Sequence, residues 1–348
     1  VCMCALVCVC THIYIYIYVC VCAFRCGGMS READPRVLSI QSHVVRGYVG
    51  NKSATLALQS LGVEVDPLNN LQFSNSKGYK HCQGQVLDAQ QVSDIADGLE
   101  KNGFLGDYSH ILTGYIGSES AGLGVEELYQ KMKQRNPNLV YILDPVLGDN
   151  GRMYVSESIS SVMRDRLLPL ADMITPNQFE LGVLADMVPE SVEQCFSCME
   201  ALHHMGPRFV VVTSVDFNSG AASEDKCKNL QLLVSSSEEE PVSRFVITFP
   251  KIEAYYQGTG DLFTSLLCGW CALGGPLTTE SVLKACEQSV AALQETLLIT
   301  QQHPGSSPFE LNVLKSRHCF SHPSSHFKAE EFLGPPADQG REDTAPME

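Results

Sequence analysis

The chain has 348 residues, 44% of them hydrophobic and 18% charged, which allows one large domain or two modest ones with a sizeable core and excludes bulk disorder. Its net charge of -16 argues against nucleic acid as a partner, because an acidic surface repels phosphate backbones. A small anion such as ATP responds to local donors instead, so the charge does not exclude it.

The sequence holds fifteen cysteines. Seven of them, Cys2, Cys4, Cys8, Cys10, Cys20, Cys22 and Cys26, fall in the first 26 residues. The others are scattered without a framework, the pattern of free thiols in a reducing compartment. Residues 1–22 alternate Cys-Val and Ile-Tyr, as TG and TA dinucleotide repeats do when read as codons. The expectation is that residues 1–28 are upstream repeat sequence, with Met29 as the first plausible start. A signal or anchor segment is the alternative. It lacks a basic n-region here and is broken by Thr11-His12.

From Arg36 onward the pattern is regular. Apolar runs predict strands at 36–40, 63–65, 110–112, 139–143, 172–174 and 209–212. Helical spacing predicts helices at 53–61, 90–99, 126–135, 156–168 and 193–205. Residues 230–234 and 244–249 predict later strands of antiparallel character, separated by an acidic loop. An apolar helix follows at 262–270. From about 317 the chain turns to Ser, Pro, His and charge, and residues 317–348 are expected to be a disordered tail. No repeat or transmembrane helix is expected within 29–348. The alternation of strand and helix predicts an α/β fold with a mostly parallel sheet.

In such sheets ligands bind beyond the carboxyl ends of the strands. Polar motifs follow the predicted strands in that way: Ser42-His43, Thr113-Gly114-Tyr115, Asp144-Pro145, Thr175-Pro176-Asn177 and Thr213-Ser214. Ordinary turn residues are the bland explanation of any one of them. Gly258-Thr259-Gly260-Asp261 precedes the apolar helix. Two glycines permit close backbone approach, and a helix start offers free N–H groups to an anion. Asp261 reads either as a helix cap or as a general base. Asp144, Asp149 and Glu180 stand near neighbouring strand ends and suit a divalent cation that carries nucleotide phosphates; turn formation and capping remain open for each.

The order and content of these motifs carry a resemblance. Gly258-Thr259-Gly260-Asp261 resembles the signature of the ribokinase-like superfamily. Ser39 to Asn51 (SIQSHVVRGYVGN), Gln72-Phe73-Ser74-Asn75, Leu112-Thr113-Gly114-Tyr115, Asp144-Pro145-Val146-Leu147-Gly148-Asp149 and Ile174 to Glu180 resemble pyridoxal kinases in particular. The resemblance covers roughly residues 36–316. It implies a three-layer fold, with a central mostly parallel sheet and helices on both faces, in a kinase domain over 29–316. It also implies ATP-dependent phosphorylation of the 5′-hydroxymethyl group of pyridoxal, pyridoxine or pyridoxamine.

Residue roles follow from the same resemblance. Asp261 would be the base, with the amides of Gly258, Thr259 and Gly260 as an anion hole. Ser42, Tyr115 and Lys77 would meet the vitamer. Asp144, Glu180 and Thr175 would serve the cation and the phosphates. Asp149 and Tyr154 would lie on a flap over ATP, with Asn177, Thr213 and Lys251 along the nucleotide. The implied cofactors are ATP with Mg²⁺ or Zn²⁺, and K⁺. The implied assembly is a cytosolic homodimer acting on small molecules, with neither nucleic acid nor membrane as a partner. Two departures stand out. Lys77 occupies a position where the family usually has Thr, and Cys82 one where Trp is common, so vitamer preference is open. A hydroxymethylpyrimidine kinase on the same fold and a catalytically weak B6-binding protein remain alternatives. Cys195, Cys198, His203 and His204 form a zinc-like group, but their helical, amphipathic setting reads as core.

Overall fold

The computed structural model describes residues 34–217, 228–304, 307, 309–324 and 326–334. The expected repeat segment at 1–28 lies outside the described residues. In chain order the strands are β1 (Arg36–Val44), β2 (Glu64–Phe73), β3 (Gly84–Val86), β4 (His110–Thr113), β5 (Val140–Leu143), β6 (Gly148–Asp149), β7 (Arg152–Met153), β8 (Met173–Ile174), β9 (Phe209–Val215), β10 (Asn229–Ser236), β11 (Ser243–Pro250) and β12 (Ala329–Glu331). Ten of them form one sheet in the order β12-β11-β10-β9-β8-β5-β4-β1-β2-β3, and β6 pairs with β7 in a separate hairpin. The run from β2 to β9 is parallel, flanked by antiparallel partners at both ends.

The central strands are apolar on both faces, so each face needs a cover. Leu38, Ile111, Tyr141, Ile174 and Val210 point into one core. Their neighbours Val37, Leu112, Ile142, Met173 and Val211 point into the other. Helices α1 (Asn51–Ser60), α6 (Thr259–Leu273) and α7 (Thr279–Gln302) cover the second face through Leu58, Leu267 and Val282. Helices α2 (Ala89–Lys101), α3 (Glu119–Arg135), α4 (Gln178–Ala185) and α5 (Val192–His203) cover the first through Ala96, Leu128, Leu181 and Phe196. The result is the expected three layers. Each fully buried Leu contributes about 2–5 kcal/mol by the cost of truncating it.

Three differences from the sequence reading stand out. Strand β2 runs on to Phe73 through Asp66-Pro67-Leu68-Asn69-Asn70, a run that looks like a turn. Pro67 is tolerated because β3 pairs only with Leu71–Phe73, so at Pro67 the outer side of β2 carries no ladder. Helix α7 was not among the elements expected from sequence. Thirdly, the tail expected to be disordered from 317 is ordered over part of its length. A short helix occupies His318–Ser321, and β12 pairs with β11. Phe332 stacks on Phe196 at 4.8 Å between ring centroids, and Phe327 meets Phe249 edge-on at 6.3 Å. These two aromatics anchor a segment whose average composition is polar. Residues 335–348 lie outside the described residues.

Candidate active site

A cavity of about 840 Å³ opens at the carboxyl ends of the parallel strands. Ser42 in β1, Tyr115 after β4, Asp144 after β5, Thr175 after β8 and Thr213 in β9 all line it. So do Lys77, Asp149, Tyr154, Asn177, Glu180 and the whole turn Gly258-Thr259-Gly260-Asp261. Lys251 alone among the expected site residues stands off the lining. Its Nζ lies 2.8 Å from Asp216 Oδ2 and 4.0 Å from Glu253 Oε1.

The end of β1 is shaped by a register shift between Gln41 and Ser42. Asn51 Nδ2 closes that irregularity by donating to Gln41 O at 3.4 Å, Leu68 O at 2.9 Å and Asn69 Oδ1 at 2.9 Å. Gly50 caps α1 at φ 52°, and a Cβ there would sit 2.2 Å from Ser42 O. Only glycine brings the chain this close. The backbone of Gly50 in turn hydrogen-bonds the Asp261 carboxylate.

Across the cavity, α6 begins at Gly258 with φ 83° and no side-chain cap. The amides of its first turn are therefore free for a ligand. A Cβ on Gly258 would meet Tyr48 O at 2.6 Å, whereas one on Gly260 would meet nothing within 4 Å. The first glycine thus fits the turn against its neighbour, and the second faces open space. Free amides, a helix N-terminus and room beside them make an anion site.

Three carboxyls converge on this region. Burial raises the pKa of Asp144 well above the usual carboxylate range, reinforced by the nearby charges of Glu180 and Asp261. Burial also raises Asp261, with the Gly50 amide acting in the opposite direction. Glu180 is pushed up to about 7 by burial, against the lowering effect of its backbone donors. Those donors engage both of its oxygens. Oε1 accepts from Leu147 N at 2.9 Å and Gly148 N at 3.2 Å, and Oε2 accepts from Asn177 N at 2.9 Å. Asn177 Oδ1 accepts from Glu180 N at 2.9 Å, which completes a capping box at the start of α4. Glu180 therefore fastens the loop after β5 to the start of α4.

Asp149 opens the β6–β7 hairpin. The central residues Asn150 and Gly151 have φ of 51° and 76°, the conformation that a tight hairpin needs and an Asn-Gly pair supplies. Asp149 accepts from Asn150 N at 2.8 Å and from Asn150 Nδ2 at 2.9 Å. Tyr154 is tied back through its amide to Leu147 O at 2.7 Å.

The sequence reading missed Gln257, which lines the cavity, and Thr264, which is buried behind Asp144. Thr264 lies one helical turn beyond Asp261, and its Oγ1 is 3.3 Å from Asp144 Oδ2 and 3.2 Å from Thr175 Oγ1. A hydroxyl three positions after Asp261, one helical turn along a largely apolar helix, was the available signal. Gln257 bonds Ser76 through its side chain and precedes the anion turn. No pattern in the sequence joins it to Ser76.

Among the described residues, no group of three or more His, Cys, Asp or Glu side chains is arranged to hold a metal ion. Cys195 and Cys198 are buried in the core, and His203 has its ring nitrogens on Pro207 O at 2.7 Å and Ser235 Oγ at 2.8 Å. The donor set at Asp144 still fits a divalent cation carried in by phosphates. Such an ion takes one or two carboxylates and completes its shell from phosphate and water. The buried, mutually repelling carboxyls gain from a cation beside them.

The segment 106–306 matches the family model for phosphomethylpyrimidine kinase. A pyridoxal kinase of Arabidopsis thaliana is 42% identical over 307 residues, covering 85% of this chain and 94% of the relative. The pyridoxal kinase of Leishmania donovani in complex with ADP and pyridoxamine superposes with a TM-score of 0.78 at 31% identity, over 86% of this chain and 100% of that one. Its complex with ADP and pyridoxine gives a TM-score of 0.77 at 31% identity, over 86% and 99%.

Proposed function

The chain belongs to the pyridoxal kinase family, and from that premise we propose that it transfers the γ-phosphate of ATP to the 5′-hydroxymethyl group of a B6 vitamer, forming pyridoxal 5′-phosphate from pyridoxal. One observation carries the reading. A buried carboxyl, Asp261, stands in the first turn of a helix whose uncapped amides face open space in the same cavity.

The chemistry is positioning and charge control. Asp261 accepts the proton of the acceptor hydroxyl as that oxygen attacks phosphorus. The amides at Gly258, Thr259 and Gly260 donate to the transferred group, each such donor being worth about 3 kcal/mol. Ser42 and Tyr115 hold the vitamer ring. Thr175, Asn177 and Thr213 line the nucleotide side, and the hairpin with Asp149 and Tyr154 covers it and excludes water. Asp144 would hold a divalent cation, Mg²⁺ or Zn²⁺, with Thr175 beside it and Glu180 fixing the loop behind it; that ion supplies neutralisation of phosphate charge. K⁺, a cytosolic location and a homodimeric assembly belong to the same proposal, on the strength of family kinship. Among the described residues, no helix is long and apolar enough to cross a membrane.

The test is ATP-dependent formation of pyridoxal 5′-phosphate, followed by absorbance, with Mg²⁺ or Zn²⁺ and K⁺. Product that disappears in Asp261→Ala supports the reading. Folded, ADP-binding protein that leaves pyridoxal untouched and phosphorylates hydroxymethylpyrimidine sinks it in favour of the hydroxymethylpyrimidine kinase alternative.

A further inference from the structure

We propose that Lys77 sets vitamer selectivity by excluding substrates with a positive charge beside the acceptor group, so that pyridoxamine is a poorer substrate than pyridoxine. The inference rests on the kinase reading above.

Lys77 lies in the loop between β2 and β3 and lines the cavity. Its Nζ donates to Tyr115 Oη at 2.7 Å and stands 5.0 Å and 5.8 Å from the ring centroids of Tyr115 and Phe73. Phe73 and Tyr115 line the cavity together with Val44 and Leu71, an apolar and aromatic wall suited to a pyridine ring. The three carboxyls, Asp144, Glu180 and Asp261, line the same cavity. The partners of the Lys77 ammonium among the described residues are neutral, so its charge is felt by whatever lies against this wall.

The wall is also one-sided in its hydrogen bonding. An ammonium has donors only. Because Tyr115 Oη accepts from Lys77, its own proton is turned to other acceptors. A substrate group here must therefore accept. The 4′-hydroxymethyl of pyridoxine accepts and is uncharged. The 4′-aminomethyl of pyridoxamine is an ammonium at neutral pH, offers no acceptor and repels Lys77. The two vitamers are otherwise the same molecule, and neither can condense with a lysine as pyridoxal can. Two like charges about 5 Å apart at an intermediate dielectric account for about tenfold in selectivity or more.

The experiment is kcat/KM for pyridoxine and pyridoxamine with the parent, Lys77→Met and Lys77→Arg. The parent should favour pyridoxine by about tenfold. Lys77→Met should raise the pyridoxamine-to-pyridoxine ratio by about the same factor, and Lys77→Arg should keep it low. A parent ratio near one, or a ratio that Lys77→Met leaves in place, overturns the proposal. If the parent phosphorylates neither vitamer, the kinase reading has failed, and the ratio of calorimetric Kd values for the two vitamers decides the charge claim separately. If Lys77→Met does not fold, Lys77→Gln takes its place.

Discussion

The Tyr79 hydroxyl lies 2.6 Å from Glu310 Oε1 and 2.7 Å from Ser307 Oγ, joining positions 231 apart in sequence. The same short segment receives Gln257 N on Phe309 O at 2.8 Å, and Gln257 bonds Ser76. The loop that carries Lys77 and the turn that carries the anion site are thus fastened to one strip of chain. Tyr79→Phe should raise the vitamer KM about fivefold or more while the KM for ATP stays in place, because both hydrogen bonds of the hydroxyl, each worth about 1 kcal/mol, are lost on the vitamer side only. Steady-state kinetics in both substrates read the split. An equal rise in both constants would mean that Tyr79 supports the whole cavity.

Gly258 and Gly260 should respond oppositely to alanine. Gly258→Ala meets a φ of 83° and a carbonyl at 2.6 Å, so it should lower stability by about 1–3 kcal/mol in denaturant titration. Gly260→Ala meets nothing within 4 Å and should leave stability nearly unchanged. Its methyl enters the space beside the free amides, so nucleotide affinity should fall about tenfold or more by calorimetry. Loss of stability in both would place Gly260 in the packing and not in the anion site.

Turnover needs Asp261 ionised, and burial raises its pKa. The acid limb of kcat/KM should therefore fall above the ordinary aspartate value of about 3.9. Asp144 and Glu180 are raised as well, so a bound cation should drive protons off the cluster. Binding of ADP with Mg²⁺ near pH 6.5 should release protons, seen as a buffer-dependent enthalpy. A binding enthalpy independent of buffer ionisation heat would contradict this.

Glu180 also has a signature in stability. Its folded pKa of about 7 lies above the ordinary glutamate value of 4.5, so between the two the folded state holds a proton that the unfolded state has lost. The stabilisation is complete below 4.5 and is lost as pH rises to about 7, on the order of 3 kcal/mol. His110 acts the other way, because burial lowers it to about 4 and stability rises with pH up to its ordinary 6.5. The difference between parent and Glu180→Gln isolates the first effect. The variant should lose the falling component. It should also cost about 1–3 kcal/mol at neutral pH, since the new amide sets a donor against Asn177 N.

The sequence was legible where chemistry repeats a local rule. Apolar runs found the central strands because these are buried on both faces, and each polar motif after them puts at least one residue into the cavity. The β6–β7 hairpin was expected only as a flap, through the resemblance, although Asn150-Gly151 is the local signal for it. What stayed hidden depended on distant partners. Thr264 matters through Asp144, 120 positions away, and Tyr79 through Glu310. Glu180 was read as a cation residue from its place near a strand end, while its oxygens hold backbone amides of two loops. The second strand was expected to stop at Val65, and its continuation through Pro67 depends on an open ladder that cannot be read from the strand itself.

The polar tail has a consequence for solubility. Without residues 326–334, Phe245, Val246 and Ile247 would present the last strand of the sheet, backbone bare, to any other extended chain. Ala329, Glu330 and Glu331 occupy that edge and put two carboxylates on it. A protein shortened after 324, which keeps the buried Phe320, should retain its cavity and yet tend to add foreign strands at this edge, so the tail guards one edge of the sheet and leaves ordered assembly to other surfaces.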